Sequence, residues 1–113
     1  MKIGVKNCKL FLKRTERILL DAGFKRTVES EKYNRYEWKK ETKFGTVYFR
    51  PDNDPKSQLY SIFGFFENVE LANEILINNN GNTYSGKCNI HELSAYGPEY
   101  PCEQLLSLIQ KLN

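Results

Sequence analysis

The chain contains a single His, a single Trp, a single Met and three Cys in 113 residues, and each scarcity removes a class of function. Cys8, Cys88 and Cys102 are odd in number, widely spaced and not in C-x-x-C form. They read as reduced thiols of a cytoplasmic chain rather than as a disulfide framework. With His91 they show none of the paired spacings of a structural zinc site, so no metal and no cofactor is expected. No apolar run approaches the roughly 20 residues of a membrane helix, and Met1-Lys-Ile-Gly-Val-Lys6 lacks the apolar stretch of a signal peptide. A soluble protein without a membrane partner follows as the expectation.

The length is that of one domain able to bury a core without covalent staples, so residues 1–113 are read as a single domain. Net charge is +3, but it is unevenly placed. Residues 1–50 carry 14 Lys and Arg against 6 Asp and Glu, whereas residues 51–113 carry 3 against 8. A positive half of this kind steers acidic proteins or polyanions toward it, although a solvated basic face and a solvated acidic face account for the same counts.

From Cys8 to Ala22, the positions Cys8, Phe11, Leu12, Thr15, Ile18, Leu19 and Ala22 fall on one side of a 3.6-residue helix. Asn7 is a natural N-cap for it, and Gly23-Phe24 a left-handed stop. Its outer side carries Lys9, Lys13 and Arg17, with Arg14 beside them. Period-two segments follow at about 25–30, 33–41 and 43–50, joined by short turns and ended by Arg50-Pro-Asp-Asn-Asp-Pro55. Gln58 to Phe66 is the most apolar run and predicts a central strand buried on both faces. Asn68 caps a helix to about Ile77 that buries Leu71, Ala72, Ile75 and Leu76, and a strand is expected around Cys88 to Ile90. Pro101 suits the first position of a last helix whose apolar side is Cys102, Leu105, Leu106, Ile109 and Leu112. The fold class is α+β: an antiparallel sheet of four to five strands with an N-terminal, a middle and a C-terminal helix.

Chemistry concentrates in Asn82-Thr-Tyr-Ser-Gly-Lys-Cys-Asn-Ile-His91. If this stretch is a strand, Cys88 and His91 point to opposite faces, and no nucleophile elbow surrounds Ser85, so no catalytic residue is assigned. Ser85, Gly86 and Lys87 can hold a phosphate in principle. Gly81 precedes Gly86 by five residues, but Cys88 stands where a phosphate-binding loop has Ser or Thr. A bend with Asn82 and Asn89 bonding backbone is the simpler reading, and His91 reads as a partly buried, hydrogen-bonded side chain.

Basic residues interleave with aromatics from Lys32 to Arg50: Tyr33, Arg35, Tyr36, Trp38, Lys39, Lys40, Lys43 and Tyr48. That is the composition of a single-strand nucleic-acid platform, and equally of an ordinary hydrophobic sheet.

Phe65-Phe-Glu-Asn-Val-Glu-Leu-Ala72 followed by the Asn82–His91 motif resembles small uncharacterised bacterial proteins carried by phages and plasmids. Their pattern is an aromatic strand, an acidic residue, a short Ala-containing helix, then Asn-x-x-Ser-Gly-Lys-Trp-Asn-x-His. Cys88 replaces the Trp. The resemblance covers about a quarter of the chain and implies no catalytic residues. It suggests a mobile-element accessory protein, a group that includes inhibitors of host defence and anti-CRISPR candidates.

The expectation is therefore a non-enzymatic protein that binds a protein or nucleoprotein through Lys9, Lys13, Arg14, Arg17, Arg35, Lys39 and Lys40. Direct nucleic-acid binding is the alternative, and an enzyme centred on residues 85–91 a third reading. Monomer and homodimer both remain open.

Overall fold

The computed structural model describes residues 5–27, 37–52, 59–77, 81–84 and 90–113. Helix α1 (Val5–Asp21) buries Phe11, Thr15 and Leu19 at spacings of four, the stripe that the apolar periodicity predicts. Thr15 is tolerated there because its hydroxyl donates to the Leu12 carbonyl at 2.9 Å. The helix opens at Val5, so Asn7 lies in its first turn instead of capping it; the first amides of a helix can be satisfied by water without a side-chain cap. The stop is as read. Gly23 has φ +90°, its amide donates to Leu20, and the Phe24 amide donates to Leu19 at 2.9 Å. This Schellman geometry folds the buried Phe24 back onto the core.

Strands β1 (Lys25–Arg26), β2 (Trp38–Thr42), β3 (Gly45–Asp52), β4 (Tyr60–Phe66), β5 (Asn82–Tyr84) and β6 (Ile90–Ala95) form one antiparallel sheet in the order β1-β2-β3-β4-β6-β5. Between them lies α2 (Val69–Ile77), and α3 (Glu99–Leu112) follows β6. The architecture is α+β, as expected, with six strands among the described residues because the short edge strand β5 joins the predicted ones, and the segment expected at 25–30 supplies the other edge as β1. The β2–β3 hairpin turns at Gly45, φ +89°, where Thr42 accepts from the Phe44 amide and donates to the Gly45 carbonyl.

Of the strand expected around Cys88 to Ile90, Cys88 and Asn89 lie outside the described residues, and Ile90 begins a strand that runs on to Ala95. Asn82–Tyr84 and Ile90–Ala95 are separate strands paired antiparallel, because β6 finds a long-range partner in β4 that local pattern cannot reveal. In α2, Asn68 Oδ1 accepts from the Leu71 amide at 3.1 Å, the predicted cap. Leu71 itself is exposed, while Ala72 and Leu76 are buried. Helix α3 starts at Glu99, which makes Pro101 its third residue; the missing amide is harmless there, since none of the first turn's amides has an intrahelical acceptor. Its buried side is Pro101, Cys102, Leu105, Leu108, Ile109 and Leu112, with Leu106 turned outward. Among the described residues no helix is long and apolar enough to cross a membrane.

The register sorts the sheet into two faces. Trp38, Val47, Phe49, Ile62, Phe66, His91 and Leu93 lie on the face that packs with the helices. Lys39, Glu41, Thr46, Tyr48, Arg50, Phe63, Phe65, Ile90 and Glu92 lie on the other, which no helix covers among the described residues. Strand β4 is thus not fully buried on both sides: Phe63 and Phe65 are half-buried. Arg50 spreads over them, 5.8 and 5.5 Å from their ring centroids, and supplies the cover that the apolar run alone suggested would come from a second layer.

Lys40 joins the helices to the sheet. Its ammonium donates to the Ala22 carbonyl at 2.6 Å, where α1 ends, and to Asn113 Oδ1 at 3.1 Å, where α3 ends. A cation at two helix C-termini satisfies the orphan Ala22 carbonyl and opposes both dipoles. Replacing it by Met should lower stability by about 1 kcal/mol, whereas Lys39→Met on the open face should stay within about 0.5 kcal/mol. Urea denaturation of the two variants checks the contrast.

Candidate partner-binding surface

The exposed side of α1 gathers Lys9, Lys13, Arg14 and Arg17. This follows from the same periodicity that buries Phe11, Thr15 and Leu19: a stripe facing the sheet leaves the interleaved cations facing water. The ion pair found on this surface joins Arg17 Nε to Asp21 Oδ2 at 3.9 Å, with both side chains largely exposed at 83% and 73%. A pair of this kind, one turn apart and solvated, contributes little and leaves the charge available. Among the described residues, the acidic half makes no ion pair with Lys9, Lys13 or Arg14.

The other predicted cations are dispersed. Lys39 is exposed on the open face, and Lys40 is occupied at the helix ends. Arg35 lies outside the described residues, as do Ser85, Gly86, Lys87 and Asn89 of the motif loop. Lys32, Tyr33 and Tyr36 of the basic-aromatic ribbon also lie outside the described residues, and the part from Trp38 to Arg50 divides between the two faces of the sheet. Trp38 turns into the core with Phe49, while Lys39, Tyr48 and Arg50 face the opposite way.

Sequence reasoning missed the partners that Tyr48 and Arg50 acquire, Phe65 and Phe63, because both were assigned to a fully buried strand. The open face also carries Glu41, Asp52 and Glu92, and a shallow depression of about 610 Å³ there is lined by Lys39, Glu41, Thr46, Tyr48, Phe65 and Glu67. Its carboxylates are held in place. Glu41 accepts from the Thr46 hydroxyl at 2.8 Å, and Glu67 accepts from the Thr46 amide at 3.3 Å. Fixed negative charge beside Lys39 makes this face a poor polyanion track.

His91, the one histidine, sits in the core at 1% exposure, its ring edge-on to Phe66 at 6.4 Å between centroids. Burial pushes its pKa below the usual 6.5, so the neutral ring is the native form at pH 7. Gly81 lies against it. A Cβ added there would strike the imidazole, 2.6 Å from Cε1, and the Glu92 carbonyl at 2.8 Å. Cys102 is free and 1% exposed, and desolvation raises its thiol pKa despite the opposing charge of Arg14. Neither group has the exposure that a nucleophile or its base requires. Among the described residues no group of three His, Cys, Asp or Glu is placed to hold a metal ion. The strand that follows the motif loop also departs from a phosphate-binding loop, which leads into a helix.

Because the native state binds the His91 proton less tightly than the unfolded chain does, unfolding takes up a proton once the pH falls below about 6.5. Stability should therefore decline from pH 7 toward pH 5, and His91→Gln should remove that part of the decline. Thermal melts across the range measure both. Independently, Gly81→Ala should cost at least about 2 kcal/mol at pH 7 through displacement of the ring, as read by urea denaturation.

No family model matches this chain, and no curated protein or solved structure is significantly similar to it. The functional reading rests on the geometry above.

Proposed function

We propose that this protein is a non-enzymatic binding protein that engages a host macromolecule through its basic N-terminal half, in the manner of a mobile-element accessory protein or inhibitor. The observation that carries the proposal is the exposed cluster of Lys9, Lys13, Arg14 and Arg17 on α1, which the acidic half does not neutralise by ion pairing among the described residues. Several like charges held on one rigid helix raise the encounter rate with a negatively charged partner. The burial of His91 and Cys102 supports a binding role over a chemical one. The resemblance of residues 65–91 to phage- and plasmid-borne proteins supports the inhibitor reading, with a host defence complex as one such target. A protein or nucleoprotein partner is favoured over naked nucleic acid because Trp38 and Lys40 are turned out of the basic-aromatic ribbon and Glu41 stands beside Lys39.

The test is a pull-down from host lysate, with and without nuclease, using the unmodified protein and the Lys9→Glu, Lys13→Glu, Arg17→Glu triple variant. A protein should be retained through nuclease treatment, and reversal of the three charges should weaken its capture by about tenfold or more. Capture that ignores the reversal removes α1 as the binding surface. Capture abolished by nuclease reassigns the partner to nucleic acid, whose affinity falls steeply with salt.

A further inference from the structure

Beside the basic stripe lies an apolar hollow of about 260 Å³, bounded by Leu10, Phe11 and Arg14 of α1, Tyr60 at the head of β4 and Pro98 before α3. Pockets for drug-sized ligands run to roughly 300–1,000 Å³. This one is sized for a side chain. Leu10 is 56% exposed at its wall, and Tyr96, two residues before Pro98, is 74% exposed. Singly exposed apolar side chains are ordinary, but here Leu10 forms the wall of a concave apolar site with charge beside it.

Charge and shape together describe the partner. Leu10, Arg14 and Arg17 recur at i, i+4 and i+7, so the apolar wall and two guanidinium groups share one edge of the helix. Phe11 and Tyr60 meet edge to face at 5.0 Å and 66°, and both are buried. At 2% and 6% exposure they leave too little open ring for a base to stack on. An aliphatic or aromatic side chain enters such a hollow readily. We infer that it receives the apolar anchor residue of an acidic peptide segment in a protein partner, with carboxylates flanking the anchor placed on Arg14, Arg17 and Lys13. Glu99 and Glu103 of α3 oppose Arg14 in their effect on the Cys102 thiol, so negative charge already borders the α3 side. The segment's carboxylates therefore run along α1, away from α3. This inference rests on the reading of α1 as the binding surface and adds the chemistry of what binds there.

The test uses isotope-labelled full-length protein and three probes: a capped acidic dodecapeptide of Asp, Glu and Ser with one central Leu, the same peptide with Ala in place of Leu, and an oligothymidylate. Amide shifts in an NMR titration report site and affinity. The Leu peptide should bind about tenfold tighter than the Ala peptide and shift Leu10, Phe11, Arg14 and Gly97. Leu10→Ala, at an exposed position that leaves folding intact, should erase most of that difference, whereas Lys13→Glu with Arg17→Glu should weaken both peptides equally. Equal affinity of the two peptides, with sensitivity to charge reversal, overturns the anchor while leaving α1 as a binding surface. Tighter binding of the oligothymidylate at the same residues overturns it in favour of nucleic acid. Absence of binding by all three probes also overturns it, while the lysate pull-down decides separately whether α1 binds anything.

Discussion

The absence of a side chain at Gly64 is the constraint on which the covered side of the sheet depends. Gly64 pairs with Phe49 on one side and His91 on the other, at the centre of the sheet. A Cβ there would lie 2.9 Å from Phe66 and 3.0 Å from Phe49. The gap lets Phe49 close edge-on against Phe66 at 6.0 Å, while Phe24 reaches Phe49 from the end of α1 at 5.4 Å. Rings brought together this way contribute stacking energy beyond the area they bury. The turn after α1, the middle hairpin and β4 all deliver one ring to that cluster, and the helices pack with it.

The division of charge follows from this arrangement. Helix α1 commits Phe11, Thr15 and Leu19 to the sheet, and its cations are left outside by helical geometry alone. Lys40 belongs to the same basic half by composition, yet it performs a different task, tying the ends of two helices. The +8 counted over residues 1–50 therefore overstates the positive surface. What counts for steering is the part of that charge with no carbonyl or carboxylate already in front of it.

Features decided within a few residues were legible in the sequence. The α1 stripe, the Gly23-Phe24 stop and the Asn68 cap each depend on neighbours in the chain, and each matches the structure. What escaped depends on distant partners. The role of Lys40 needs residues 22 and 113 beside it. The two strands in residues 82–95 emerge only when β4 is present to pair with β6. Strand β4 has hydrophobic residues on both faces, so its pattern cannot distinguish the side covered by helices from the side covered by Arg50. Of the candidate site, the helix cations were legible as a stripe, whereas Tyr60 and Pro98, which complete the hollow beside Leu10, join α1 only through the tertiary fold.

Arg50 has a further consequence for the bare side of the sheet. Its planar head lies over Phe63 and Phe65, and its Nε is shut away from water without a hydrogen-bond partner among the described residues. Two aromatic rings on a pleated surface that no helix covers among the described residues would invite another sheet to lie flat upon them. A charged roof makes such stacking expensive, because the incoming layer would have to strip the last water from a guanidinium already short of partners. One arginine thus substitutes for a second layer of helices, guarding the sheet against its own stickiness.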